Sequence, residues 1–226
     1  MFQMKTNDTK QSEWEFLAAS EQDSGAQVLR PFEKDQWNLL AREIIEKLEL
    51  NDKSLSLLDV GCGNGYLASL FQKFVGSISG VDYAPSMIDV ARKKILQGYF
   101  EVSSADQLPF ADGMFDRSLS YSIFHYFTSN KQVYDSIDEL CRVTKKGGLV
   151  LIGDLLDKSF EDEIKSGSNI DIEVNLPKIK RYSEWRFVDL EAVVEYLQGK
   201  TGRVEILSQN ESFATGSYRK DIKIWM

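Results

Sequence analysis

At 226 residues the chain has the length of one α/β domain with additions, and an apolar share of 42% suffices for a sizeable core. Acids outnumber bases 35 to 27, a net charge of −8, which argues against a general nucleic-acid binder because such a protein needs a basic surface to neutralise phosphates. Two separated cysteines and one histidine argue against a zinc site, and the absence of a signal-peptide core or a membrane-length apolar run leads to the expectation of a cytoplasmic protein without membrane insertion.

Residues 1–12 are polar and read as loose, and Ser12 to Ala18 has the pattern of a short helix. Gly25 is expected to act as a breaker beyond that helix, and Pro31 precedes a longer one. There Trp37, Leu40, Ala41, Ile44, Ile45 and Leu48 recur at i, i+3, i+4, i+7, i+8 and i+11, which lays one apolar face against a core. Leu55 to Val60 reads as a buried strand, Gly61, Gly63 and Gly65 break it, and Tyr66 to Phe71 resumes with helical spacing. A strand, a tight glycine turn and a helix make a cradle for a nucleotide-like ligand. Glycine admits positive φ and lets a ligand lie on the main chain, and a helix start offers unpaired N–H groups.

Ser77 to Asp82 is the second strand, followed by a helix with Pro85 at its first position and Met87, Ile88, Ala91 and Ile95 facing inward. Tyr99 to Val102 is a third strand and Arg117 to Tyr121 a fourth, whose carboxyl end runs on through Ser122 to Phe127. Val133, Ile137, Leu140 and Cys141 mark one helix face, and Lys145-Lys146-Gly147-Gly148 is expected to end that helix with cations and glycines. Leu149 to Asp154 is a fifth strand. Residues 155–182 are charged and turn-like, a helix follows with Leu190, Val193, Val194 and Leu197, and Val204 to Leu207 and Arg219 to Trp225 form a last antiparallel pair. Strand–helix alternation through five strands implies a parallel sheet with right-handed crossovers. Lys178, Lys180, Arg181 and Arg186 form either a local basic patch or a solvated face.

The run Asp59-x-Gly61-x-Gly63-x-Gly65 resembles motif I of the class I S-adenosylmethionine-dependent methyltransferases. Ser103 to Phe110 is similar to the family stretch that lines the adenine, and Phe110 to Asp116 to the run that follows it, so the motifs cover roughly residues 35–155. Two positions depart from the family pattern: Ala84 stands where a serine or threonine usually caps the helix, and Ser104 replaces an acid.

The resemblance implies a Rossmann-like α/β fold, with a seven-stranded, mostly parallel sheet, helices on both faces and an antiparallel last strand. It implies a single methyltransferase domain over residues 1–226, with N-terminal helices in 1–50 and a substrate-covering insertion at 155–190. The implied cofactor is S-adenosylmethionine, its methyl passing by in-line displacement to a small-molecule acceptor, with oxygen favoured. Gly61, Cys62 and Gly63 would hold the methionine portion, with Asp59 orienting the loop or reaching the ammonium group through water. Asp82 would accept both ribose hydroxyls, although an aspartate there also serves simply to approach a helix. Tyr83 or Met87 would pack on the adenine, Ser104 or Asp106 would read its amino group, and the Ala105 backbone would reach the ring. Tyr121 and Ser122 would border the methionine end, and Trp14 either closes the site or is an ordinary packed aromatic.

An oxygen acceptor that must lose a proton needs a base. His125, just past the fourth strand, and Asp154, at the end of the fifth, are the candidates, each with a plain structural alternative. Two other classes share the fold. An NAD-dependent oxidoreductase would carry its third glycine where Tyr66 stands and would use a tyrosine–lysine pair. A non-catalytic nucleoside-binding protein would bind the same ligand without turnover.

Overall fold

The computed structural model describes residues 6–20, 24–30 and 32–226. Seven strands form one sheet: β1 (Asp52–Val60), β2 (Val75–Asp82), β3 (Tyr99–Val102), β4 (Phe115–Tyr121), β5 (Thr144–Leu156), β6 (Arg203–Ser208) and β7 (Arg219–Trp225). Their order is β3-β2-β1-β4-β5-β7-β6. The first five run parallel, and β7 lies antiparallel between β5 and β6. The chain winds outward from β1 to β3 and then crosses back to β4. The loops after β1 and β4 therefore part company, and a crevice opens at that switch point.

The period of two along the central strands sorts the core into two layers. Leu58, Val60, Val150 and Ile152 face one way, against Val133, Ile137 and Leu140 of one helix and Leu190, Val193 and Leu197 of another. Leu57, Leu119, Leu149 and Leu151 face the other way, against Trp37, Leu40, Ile44 and Leu48 and against Ile88 and Ala91.

Among the described residues the α-helices are α1 (Thr6–Ser20), α2 (Ser24–Gln27), α3 (Lys34–Leu48), α4 (Tyr66–Ser69), α5 (Pro85–Lys94), α6 (Asn130–Val143), α7 (Glu161–Ser166), α8 (Ile170–Glu173) and α9 (Leu190–Leu197). Local signals account for several ends. Glu33 and Gln36 form a reciprocal capping box at the start of α3, Pro85 is the first residue of α5, and the Ser129 hydroxyl accepts from the Gln132 amide at α6.

Some expectations are corrected. Residues 6–12 belong to α1, whose helix is longer than its apolar pattern; residues 1–5 and Pro31 lie outside the described residues. Gly25 sits inside α2 and does not break a helix. Lys145 to Gly148 belong to β5, and α6 ends before them at Val143. The pairing of β4 with β5 shifts register there, and a Cβ on Gly148 would come 2.7 Å from the Asp116 carbonyl oxygen, so the glycine serves the strand pair. Of Tyr66 to Phe71 only the single turn α4 is helical.

The N-terminal helices are tethered over the carboxyl end of the sheet. Gln27 accepts from the Asn64 side chain at 2.7 Å and donates to the Ala18 carbonyl at 3.1 Å, which ties α1 and α2 to the glycine loop. The Glu13 carboxylate accepts the Lys178 and Ile179 amides at 2.9 and 3.0 Å, so the segment after β5 props α1 from behind. No helix among the described residues is long and apolar enough to cross a membrane.

Candidate functional site

A cavity of about 1180 Å³, open mouth included, lies at the carboxyl ends of β1 to β4 under α1 and α2. Asp59, Gly61, Cys62, Gly63, Asp82, Tyr83, Met87, Ser104, Ala105, Tyr121 and Ser122 all line it. Asp106, His125 and Asp154 do not.

The glycine loop does not act through free amides. Gly61 and Cys62 N–H both donate to the Val81 carbonyl at 2.8 and 2.9 Å, and Gly65 N–H donates to the Cys62 carbonyl at 3.0 Å. Gly63 N–H is held by Asp82 Oδ2 at 2.9 Å and Tyr66 N–H by Asn64 Oδ1 at 3.0 Å. These five amides, which a phosphate cradle would leave unpaired, are committed within the protein. The glycines are needed by the loop itself: at Gly61 φ is +78°, and a Cβ there would lie 2.5 Å from Ile123 Cγ2.

What the loop presents to the hollow is a pair of buried carboxylates. Burial, with the Asp82 charge nearby, pushes the Asp59 carboxyl up to about 7. Burial pushes Asp82 up to about 6, against the opposing pull of backbone amides. Asp82 Oδ1 accepts the Ala84 amide at 2.9 Å, which fixes the turn into α5, while no side chain caps the helix itself. Gly63 and Ala84 each bond one of its oxygens and the Tyr83 amide also stabilises its charge, which leaves part of its lone-pair capacity open. Two acids on one hollow attract a cation and repel a pyrophosphate.

The neighbouring strand ends complete this half. Met87 is buried in the lining beside Tyr83, whose carbonyl accepts from Gln11 on α1 at 2.7 Å. The Ser104 hydroxyl donates to the Asp106 carboxylate, so Asp106 orients Ser104 from outside the cavity and leaves its lone pairs to accept. Cys62 is buried, and burial pushes its thiol well above the usual range, so it stays protonated.

The other half carries the two candidate bases, both set behind the wall. His125 is 2% exposed, its ring 4.1 Å from that of Tyr126 and 4.5 Å from that of Trp185. Burial and the Arg219 charge hold its imidazole neutral, well below the ordinary value. Asp154 is 1% exposed and left-handed at φ +63°. Its Oδ2 accepts from Arg30 Nη2 and Arg219 Nη1, each at 2.5 Å, and Oδ1 from Gln209 at 3.4 Å. Burial would raise this carboxyl, but the two arginines hold it well below the usual carboxylate range. A carboxylate so held is an ion-pair hub, and its proton affinity is too low for it to take a proton at neutral pH.

Sequence reasoning missed Lys10, Arg30, Tyr126 and Gln132, which all line the cavity, and left Trp14 open between two roles. Trp14 does both: it lines the cavity and packs edge-on against Tyr126 at 5.5 Å. No residue of 155–190 lines the cavity, and the cover is built by α1 and by the segment from α2 to Arg30. Arg181 and Arg186 are no open basic patch: Arg181 donates to the Leu176 and Val174 carbonyls, and Arg186 to the Phe127 carbonyl. The only signal for Arg30 was its place in a segment without a motif of its own.

Residues 58–152 match the family described as a methyltransferase domain. A malonyl-[acyl-carrier protein] O-methyltransferase of Buchnera aphidicola is 32% identical over 107 residues, 47% of this chain and 42% of that protein. The tRNA (carboxymethyluridine(34)-5-O)-methyltransferase alkbh8 of Xenopus tropicalis is 30% identical over 44% of this chain and 15% of its own length. The chain thus spans less than half the length of these curated relatives. Among solved structures, the N-methyltransferase NodS from Bradyrhizobium japonicum, in complex with S-adenosyl-L-homocysteine, superposes with a TM-score of 0.68 at 15% identity, covering 96% of this chain and 98% of that one. At that identity the superposition speaks for the fold.

Proposed function

The chain belongs to the class I S-adenosylmethionine-dependent methyltransferases, and from that premise we propose that it transfers the methyl group of S-adenosylmethionine to an oxygen of a small-molecule acceptor. The observation that carries the reading is the pair of buried carboxylates, Asp59 and Asp82, in a hollow whose loop amides are already bonded. Such a site suits a cationic nucleoside and disfavours a dinucleotide. The same feature speaks against NAD, whose pyrophosphate would meet two acids where the amides of Gly61, Cys62, Gly63 and Gly65 are already bonded.

Bound there, S-adenosylmethionine supplies a methyl group on a positively charged sulfur, an electrophile that needs alignment more than activation. The remaining lone pairs of Asp82 accept the ribose hydroxyls, and the Asp59 carboxylate answers the positive charge of the methionine portion. Ser104 accepts from the adenine amino group, its own proton being committed to Asp106, while Met87 and Tyr83 flank the ring beside the Ala105 backbone. Gly61, Cys62 and Gly63 border the methionine portion, and Tyr121 and Ser122 its reacting end. The Trp14 side chain, resting on Tyr126, sheds water from that end.

Titration calorimetry at pH 8 separates the alternatives. One-to-one binding of S-adenosylmethionine without binding of NADH is expected; binding of NADH alone would overturn the proposal. Labelled methyl transfer to a panel of small acceptors, with total tRNA alongside, tests the acceptor class. The acidic balance of the chain favours the small molecules, and transfer to tRNA alone would overturn that part.

A further inference from the structure

The acceptor end of the cavity carries a charge opposite to that of the chain. Acids exceed bases overall, 35 to 27, yet Lys10 and Arg30 both line this cavity. They converge on the loop that follows β4. Arg30 Nη2 donates to Ser122 Oγ at 3.0 Å, and Lys10 Nζ donates to the Tyr126 carbonyl at 2.9 Å. Lys10 forms no ion pair among the described residues, and burial lowers its ammonium from the ordinary value. Arg30 is paired with Asp154, but Asp154 also pairs with Arg219, so the three together keep one positive charge in excess. The adjoining Lys47 is shared by Asp221 at 2.8 Å and Glu43 at 3.5 Å, which offsets that excess, so the unpaired cation at this end is Lys10 while Arg30 contributes N–H donors.

Strand order says which end of the cavity this is. Asp82 and Ser104 stand at the ends of β2 and β3, the glycine loop follows β1, and Ser122 follows β4 on the far side, with Ile123 packed over Gly61. On the donor assignment proposed for this site, a nucleoside held at β2 and β3 turns its reacting end toward β4, where the two cations stand. No histidine lines the cavity among the described residues, and its only carboxylates, Asp59 and Asp82, are at the donor end. A hydroxyl acceptor would find no histidine or carboxylate there to take its proton. An acceptor that arrives already ionised has no such need, and it brings a negative charge to Lys10 and acceptor lone pairs to the guanidinium of Arg30.

We propose that the acceptor oxygen belongs to a carboxylate seated between Lys10 and Arg30, and that the product is its methyl ester. The inference rests on the proposed donor assignment. The carboxylate oxygen forms a bond to the methyl carbon as the carbon–sulfur bond breaks, and the electron pair of that bond stays on sulfur. The positive charge of the sulfonium and the negative charge of the carboxylate disappear together, and no proton moves. The neutral ester no longer answers Lys10 and Arg30, which favours its release.

The test uses the whole chain with malonate, succinate, glutarate and adipate and their N-acetylcysteamine monothioesters, each beside its neutral methyl ester, and with hexanediol, hexanediamine and catechol as rival acceptors. With methyl-labelled S-adenosylmethionine, label is expected in carboxylates only, in a product from which mild base releases methanol. Calorimetry on the protein loaded with S-adenosylhomocysteine gives the second readout. At least one free carboxylate should bind about tenfold or more tightly than its methyl ester, and K10M and R30M should each weaken it by about tenfold or more, with R30K restoring part of the loss. Affinity for S-adenosylhomocysteine itself should stay within about twofold in these variants. Label in the diol, the diamine or catechol, no preference for acid over ester, or indifference to both variants would overturn the proposal. Failure of the wild type to bind S-adenosylhomocysteine would instead overturn the donor assignment, and this proposal with it.

Discussion

Asp59→Asn should make the empty protein more stable and its donor binding weaker. In the fold the Asp59 carboxyl titrates at about 7 in place of 3.8, chiefly because burial withholds water from the charge. A tenfold shift in proton affinity corresponds to about 1.4 kcal/mol, so at pH 8 the ionised group costs the apoprotein on the order of 4 kcal/mol. The sign comes from the two titrations. Below pH of about 4 the carboxyl is protonated folded and unfolded and contributes nothing. Between about 4 and 7 the unfolded chain has lost the proton while the folded one retains it, so wild-type stability falls as pH rises, and above about 7 the deficit is constant. D59N lacks this titration. Its margin over the wild type should open across that window and reach about 1–4 kcal/mol at pH 8, the lower figure if the amide finds no partner for its N–H groups. Urea unfolding at pH 5 and pH 8 measures the margin, and donor calorimetry on the same samples should show affinity down by about tenfold or more. A variant less stable than wild type at pH 8, or a margin equal at the two pH values, would refute the reasoning.

Four further outcomes are expected. Gly61→Ala forces a side chain into φ +78° and to 2.5 Å from Ile123 Cγ2, and should destabilise by roughly 2–4 kcal/mol in chemical unfolding, with part regained when Ile123→Ala opens the space. Asp154→Asn leaves Arg30 and Arg219 without their shared anion and should lose about 3–5 kcal/mol at pH 7. The wild-type contribution, because that carboxyl is depressed, should hold above pH of about 4 and fade as pH falls toward its lowered value, which acid unfolding of the pair would reveal. Affinity for S-adenosylmethionine should fall as pH drops from about 7 to 5 and the carboxyls of Asp59 and Asp82 take up protons, readable by calorimetry in matched buffers. His125→Gln, behind the lining and not part of it, should keep turnover within about threefold, whereas a drop of about a hundredfold would restore it as a base.

How much of the molecule was legible depends on where each signal resides. The frame from β1 to β5 was readable because a buried parallel strand is a short apolar run and each turn is marked by glycine or proline at a fixed place. The half of the cavity proposed for the donor was readable because its lining residues sit on, or within a few positions of, those strand ends. The half proposed for the acceptor was not. Lys10 and Arg30 take their places only when Gln27 bridges Asn64 and Ala18 and when Glu13 grips the segment after β5, contacts between parts of the chain that share no local pattern. His125 was read correctly just past β4, and Asp154 was read as the end of β5, which runs two residues further, to Leu156. The direction of their side chains depends on the 3₁₀ turn at Phe124–Tyr126 and on the left-handed backbone at Asp154, neither of which leaves a trace in composition. Gly147 and Gly148 show the converse: glycines after a helix read as a stop, and their actual service is to the irregular join of β4 and β5.

A crystal structure with S-adenosylhomocysteine tests the central claim most directly. The ribose hydroxyls should lie within hydrogen-bonding distance of the Asp82 carboxylate, the adenine beside Ser104 and Ala105, and the sulfur should face Ser122 with Arg30 and Lys10 beyond it. A nucleoside lying in the reverse sense, or one bound away from both Asp59 and Asp82, would contradict it.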